Sequence, residues 1–363
     1  MTSRHHVDLT EPVPRVTIDD CSTVSSIFMK RVTEQPDKVA LREKDFGIWN
    51  EYTWADFGRQ AMLAGLGLQA LGLARGDICS IASEVNKEWM FADLGIIGIG
   101  GVTNGVYPTD AANQVEYLIN DSGTRFYFAE DEEQLDKVLE VRDRVPTLER
   151  VIIFDMEGLR DLDDDLTMSF AALLELGAAY GEEHPDAWDL AIQSADAEDL
   201  MVLTYTSGTT GRPKGAMISQ RNMMFMMINL QRCYEIRPTD EQLGFLPLAH
   251  VAGRMFYTFA VIESGSVVNL VEDLETATQD QQEVGPTIHF AVPRVWEKQF
   301  STVAIKLKEA TAVGRFAYGA ALRLGERRMM YVKRGDPVPA GLAVMFKLAE
   351  FLVLRNLRRM LGI

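Results

Sequence analysis

Apolar residues along the chain follow two alternating rhythms. Short apolar runs enriched in β-branched and aromatic residues predict strands at 78–82, 125–129, 151–155, 200–204, 267–271 and 287–291. Between them, apolar positions that return every three or four residues predict helices at 54–73, 86–97, 111–120, 132–145, 219–235 and 294–308. Strand and helix in regular alternation imply parallel sheets with helices on their faces, an α/β fold. The acidic stretch 155–165 and the polar segment 180–199 read as loops or a surface excursion. The chain shows no internal repeat and no low-complexity tract.

Two helical patterns each admit two readings. Met223, Met224, Met226 and Met227 either line a pocket for an apolar ligand or belong to an ordinary core. The segment 342–363 places Phe346, Phe351 and Leu354 near one helical face, with Arg355, Arg358 and Arg359 late in the run. It reads either as an amphipathic helix on a core, its cations near its C-terminus, or as a helix lying on an anionic membrane surface.

Composition narrows the classes. The 363 residues are 47% apolar, enough for one large or two ordinary domains with their own cores. Asp and Glu outnumber Lys and Arg by 53 to 36, a net charge of −17 that opposes non-specific binding to a phosphate backbone, so no nucleic-acid partner is expected. The charge is uneven: residues 294–363 carry 14 Lys and Arg against 5 Asp and Glu, and the remainder is strongly acidic. Cys21, Cys79 and Cys233 are odd in number and far apart, which argues against a disulfide framework or a zinc cluster and fits a reducing cytoplasm. Residues 1–14 lack the apolar core of a signal peptide, and 94–106 is too short and glycine-rich to span a bilayer. The expected location is cytoplasmic, with peripheral membrane contact through the basic C-terminal segment as the alternative.

The densest chemistry lies in TYTSGTTGRPKG, residues 204–215, directly after the apolar run 200–203. The expected order is a strand, a hydroxyl- and glycine-rich loop, then a helix. Gly208, Gly211 and Gly215 permit close backbone approach, Thr206, Ser207, Thr209 and Thr210 offer hydroxyls beside main-chain amides, and Lys214 adds a cation. Such a set suits a polyphosphate. A Walker loop needs Ser or Thr after its lysine, whereas Lys214 is followed by Gly215 and Ala216, so the ordinary P-loop reading fails.

This string resembles the phosphate-binding signature of the AMP-forming adenylate-forming superfamily: acyl-CoA synthetases, luciferases and peptide-synthetase adenylation domains. The resemblance implies that Thr206, Ser207, Gly208, Thr209, Thr210, Gly211 and Lys214 cradle the phosphates of ATP. FLPLAHVAGR, residues 245–254, resembles the family's next motif and implies that His250 borders the acyl carboxylate and the adenylate. AVPRVWEK, residues 291–298, looks like the long-chain and bubblegum-type acyl-CoA synthetase branch, which implies a medium- or long-chain fatty acid. Weaker likenesses are 38–41 with YTWADF (52–57), GLARGD (72–77) and VYPT (106–109).

By resemblance, the fold is the α/β N-terminal domain of an adenylate-forming enzyme, with residues 1–20 as an extension, 21–363 as an incomplete domain and the C-terminal part absent. The family's later motifs for adenine, ribose and magnesium, and its lysine-bearing small domain, have no counterpart in the sequence. The implied function is a fatty acid–CoA ligase that uses ATP, Mg²⁺ and CoA through an acyl-adenylate. The alternatives are a nucleotide- and acyl-binding module without catalysis, half of a split enzyme completed by a partner chain, and an acyl-AMP ligase that never uses CoA. No residue is assigned as a metal ligand.

Overall fold

A computed structural model describes residues 16–159, 161–206 and 211–362. The chain divides into two compact units, Met1–Thr239 with Leu246–Leu270, and Asp240–Phe245 with Val271–Ile363.

The first unit is built on a seven-stranded sheet in the order Thr167–Ser169, Arg150–Ile153, Phe126–Ala129, Ile78–Ala82, Val102–Val106, Leu200–Thr206 and Lys214–Ser219. Every neighbouring pair is parallel except the last, which is an antiparallel hairpin. Val102–Val106 and Phe126–Ala129 are buried along their whole length, as parallel strands covered on both faces must be. Helices Trp54–Ala70, Lys87–Gly98 and Phe170–Glu183 pack together, and Ala112–Ser122 packs with Glu132–Val141 over a separate apolar cluster. Sequence sets the helix starts: Thr53 and Asp56 form a capping box, and Asn86 and Ser169 accept backbone N–H bonds as N-caps. A second sheet pairs Val39–Asp45 antiparallel with Ile48–Thr53 and parallel with Val267–Leu270.

Three expectations are corrected. The phosphate loop does not lead straight into a helix: Lys214–Ser219 is a strand, and the helix begins only at Gln220 behind a Ser219 cap. Segment 180–199 is not a loop but contains the end of Phe170–Glu183 and a helix at Ala187–Gln193. Its acidic surface conceals one apolar face, on which Trp188 is 3% exposed and donates its indole N–H to Met29 Sδ at 3.3 Å. Residues 287–291 form no strand. Thr287 and Ile288 both donate to the Glu241 carbonyl in a single bridge, and Pro293 soon opens the next helix.

Met223, Met224 and Met227 are core, while Met226 is half exposed. The three cysteines are free, and burial raises the Cys79 thiol pKa.

The second unit is mainly helical: Ala277–Val284, Pro293–Glu309, Ala312–Arg334 and Ala340–Ala349, the last continuing through a π turn at Glu350–Leu354 into Arg355–Leu361. The π turn changes the phase of the helix. Phe346 therefore packs inward against Arg328, with the guanidinium 4.9 Å from the ring centre, while Phe351 is 63% exposed and leaves the face on which the sequence placed both. Among the described residues, no helix is long and apolar enough to cross a membrane.

Candidate functional site

A cleft of about 650 Å³ opens at the C-terminal ends of Val102–Val106 and Leu200–Thr206. These two neighbouring strands send the chain in opposite directions. After Val106 it passes through 107–111 into helix Ala112–Ser122 and on to Phe126–Ala129, beyond Ile78–Ala82; after Thr206 it turns outward to Lys214–Ser219. A crevice at such a switch point is where open α/β sheets take their ligands.

The hairpin forms one wall. Thr204, Tyr205, Thr206 and Pro213 line the cleft, and Thr206 pairs in register with Lys214. Directly opposed residues of an antiparallel pair project to the same face, so the Thr206 hydroxyl and the Lys214 ammonium share one side of the hairpin. Gly211 has φ +95°, a conformation that its lack of a Cβ makes accessible. The hairpin is pinned to helix Ala112–Ser122 from both strands: Tyr205 donates to Asp121 at 2.8 Å and Tyr117 donates to the Pro213 carbonyl at 2.7 Å. Burial and the Asp121 acceptor both hold the Tyr205 phenol protonated.

His250 enters from the other side. It caps the short helix Val251–Arg254, and its Nδ1 accepts the Ala252 N–H at 3.0 Å, so a neutral ring carries its proton on Nε2. The segment lies directly on the Val102–Val106 strand because residue 105 is glycine; a Cβ there would stand 2.6 Å from Ala249 Cα. The segment is anchored by Arg254, 1% exposed, whose guanidinium makes a two-pronged bond to the fully buried Asp93, with Nε to Oδ2 at 3.1 Å. The same guanidinium lies 5.1 Å from the Trp89 ring centre and 5.4 Å from that of Phe259. Burial pushes the Asp93 carboxyl pKa upward, and Arg254 opposes it.

The floor is formed by Tyr107, Thr109, Asp110 and Gln114. Lys137 donates to the Pro108 carbonyl and fixes this turn. Burial raises the pKa of Asp110, partly offset by a hydrogen bond from the Tyr107 backbone and by the positive charge of Lys137.

The structure therefore brings Thr206 and His250 to one cleft and sets Lys214 across the ladder from Thr206, exposed and outside the cleft lining. Gly211 lies at the start of the return towards Lys214; Ser207, Gly208, Thr209 and Thr210 lie outside the described residues. Sequence reasoning missed Asp110, Gln114 and the Asp93–Arg254 pair. The turn at 106–109 was a signal for the first two, but nothing local marks a pair separated by 161 residues. Among the described residues, no group of three or more His, Cys, Asp or Glu side chains could hold a metal ion.

Fold and cleft together define an α/β domain with a switch-point ligand site walled by a hydroxyl-bearing hairpin. A family model described as AMP-binding enzyme matches residues 28–350, and the chain belongs to that family, the adenylate-forming acyl-CoA ligases and their kin. It is 32% identical to the long-chain-fatty-acid–CoA ligase FadD15 of Mycobacterium tuberculosis over 98% of this chain and 57% of that protein. It is 28% identical to the long-chain-fatty-acid–CoA ligase ACSBG1 of Homo sapiens over 94% of this chain and 47% of that one. The chain thus spans about half the length of these relatives. Among solved structures, the anthranilate CoA ligase AuaEII in complex with anthranoyl-AMP aligns over 77% of this chain and 50% of that one, with TM-score 0.64 and 19% identity, a likeness of fold.

Proposed function

We propose that this chain supplies the phosphate and carboxylate sites of a fatty acid–CoA ligase that works through an acyl-adenylate. The observation that carries the reading is the convergence of Thr206 and His250 on one switch-point cleft, with Lys214 paired opposite Thr206. The relatives' names supply the substrate class, a long-chain fatty acid, and CoA as the acceptor, and the AMP-binding family supports ATP as the nucleotide.

In the first step a carboxylate oxygen bonds to the α-phosphorus of ATP, and the bond to pyrophosphate breaks. The uncatalysed barrier comes largely from holding two anions together. In this reading the Thr206 hydroxyl donates to a phosphate oxygen and Lys214 offsets negative charge as pyrophosphate departs. The His250 Nε2–H donates to the acyl carboxylate or the adenylate oxygen beside it. Mg²⁺, when it accompanies ATP, would supply further charge neutralisation. In the second step the CoA thiolate attacks the acyl carbon and AMP leaves.

The test is ATP–pyrophosphate exchange by the purified protein across a series of straight-chain acids. The reading predicts exchange that requires the acid, favours medium or long chains and falls on the order of a hundredfold in His250→Ala, as loss of one transition-state donor does. Exchange that ignores the acid, or survives unchanged in His250→Ala, overturns it.

A further inference from the structure

Helix Ala112–Ser122 carries near its end a residue that its own backbone disfavours. Asp121 lies in the last turn, where the helix dipole is negative and unpaired carbonyls gather, and that turn has no basic residue to offset it. Among the described residues, Asp121 has no ion pair. A carboxylate that works against its own helix calls for another reason to stand there. The structure shows one bond that supplies it: Asp121 Oδ2 accepts the Tyr205 phenol O–H at 2.8 Å.

One face of this helix grips both arms of the hairpin. Tyr117 and Asp121, four residues apart, stand on the same side of the helix. Tyr117 donates to the Pro213 carbonyl on the returning arm and lies 5.1 Å from the Arg212 guanidinium, measured to the ring centre, while Asp121 holds Tyr205 on the outgoing arm. The two tyrosine rings meet edge to face at 6.3 Å. Room for the Tyr205 ring comes from its ladder partner Gly215, where a Cβ would stand 3.2 Å from Tyr205 Cζ. The gripping helix is itself tied to the sheet interior. The Ser122 hydroxyl donates to the Leu118 carbonyl at 2.6 Å and lies 2.7 Å from the Thr124 hydroxyl, which lies 2.7 Å from that of Ser80 in the central strand Ile78–Ala82. Ser80 and Thr124 are fully buried.

Tyr205 immediately precedes Thr206, so a bond that fixes its phenol fixes the strand where Thr206 and, across the ladder, Lys214 stand. We propose that Tyr205 and Asp121 are positioning residues for the phosphate wall. Their bond, set against a helix anchored in the sheet, holds the Thr206 hydroxyl and the Lys214 ammonium ready for MgATP, so that less ordering is left to binding. The proposal rests on the reading of this hairpin as the phosphate wall.

The test is calorimetric titration of MgATP into the parent, Tyr205→Phe, Asp121→Ala, their combination, and Asp121→Asn. Tyr205→Phe removes one hydroxyl and keeps the ring, and circular dichroism checks that each variant folds. Tyr205→Phe and Asp121→Ala are each expected to weaken MgATP binding roughly threefold to tenfold, and the combination no more than either alone, as for two halves of one bond. Asp121→Asn keeps an acceptor oxygen and should retain most of the parent affinity, a rescue that general loosening of the fold would not give. Parent affinity in Tyr205→Phe, additive losses in the combination, or an Asp121→Asn variant as weak as Asp121→Ala overturns the proposal. Lys214→Ala, run alongside, separates the two levels. If it weakens MgATP binding and Tyr205→Phe does not, the positioning claim alone fails; if it binds as the parent does, the phosphate-wall reading fails and the proposal falls with it.

Discussion

Arg254 is a permanent cation, four residues beyond His250, that the fold buries completely. Its charge is tolerable because Asp93 meets it with two bonds and two aromatic rings flank it. Removing either partner strands the other in a low-dielectric core. Arg254→Ala and Asp93→Asn are each expected to destabilise the protein by about 3–5 kcal/mol, and the double variant by clearly less than the sum. Urea denaturation of the three variants checks this. Glu263 presents the opposite case, a carboxyl that burial pushes up to about 7, only partly relieved by Arg31. Its folded pKa lies above its unfolded one, so the folded state holds the extra proton and stability falls as pH rises from about 4.5 towards 7. Because the group is partly exposed, the penalty is about 1–2 kcal/mol after solvent screening. Glu263→Gln should therefore raise the melting temperature at pH 8, have little effect at pH 4.5, and flatten the profile between them. A variant profile parallel to that of the parent contradicts this assignment.

Among the elements, the Val102–Val106 strand and the segment bearing His250 depend on one another through Gly105. A methyl group there meets Ala249 backbone, which cannot move without carrying His250 with it. Gly105→Ala is expected to cost about 1–3 kcal/mol and to impair the cleft beyond that loss. Nucleotide titration of the folded variant checks the second part, and affinity equal to that of the parent would show that the segment is positioned otherwise. The strands Ile78–Ala82, Phe126–Ala129, Arg150–Ile153 and Leu200–Thr206 were legible because each is a short apolar run, whereas Val102–Val106, with a glycine and two polar residues among its five, and the short edge strand Thr167–Ser169 were not. Lys214–Ser219 was not legible: KGAMIS is an edge strand whose alternation is blurred, with Met217 70% exposed, and only pairing with Leu200–Thr206 makes it β. Trp188 was hidden by the acidic residues around it. Asp110 and Gln114 belong to the cleft through the return of Leu200–Thr206 beside Val102–Val106, a contact across about a hundred residues that no local spacing encodes.

Across the whole molecule, chemistry and charge are partitioned. The acidic first unit holds the switch-point cleft, and the second unit holds the basic, apolar-studded helices. An acidic protein that binds a polyanion must do so through local donors rather than its general field. The central claim therefore rests on the hairpin, and calorimetric titration with MgATP of the parent and Lys214→Ala tests it most directly. Lys214 is exposed and makes no described side-chain bond, so the variant should fold normally. The account predicts an affinity at least about tenfold weaker in the variant, the loss of roughly 1.4 kcal/mol from one charge-assisted contact to phosphate. Equal affinity in parent and variant would contradict the assignment of this hairpin to the ATP phosphates.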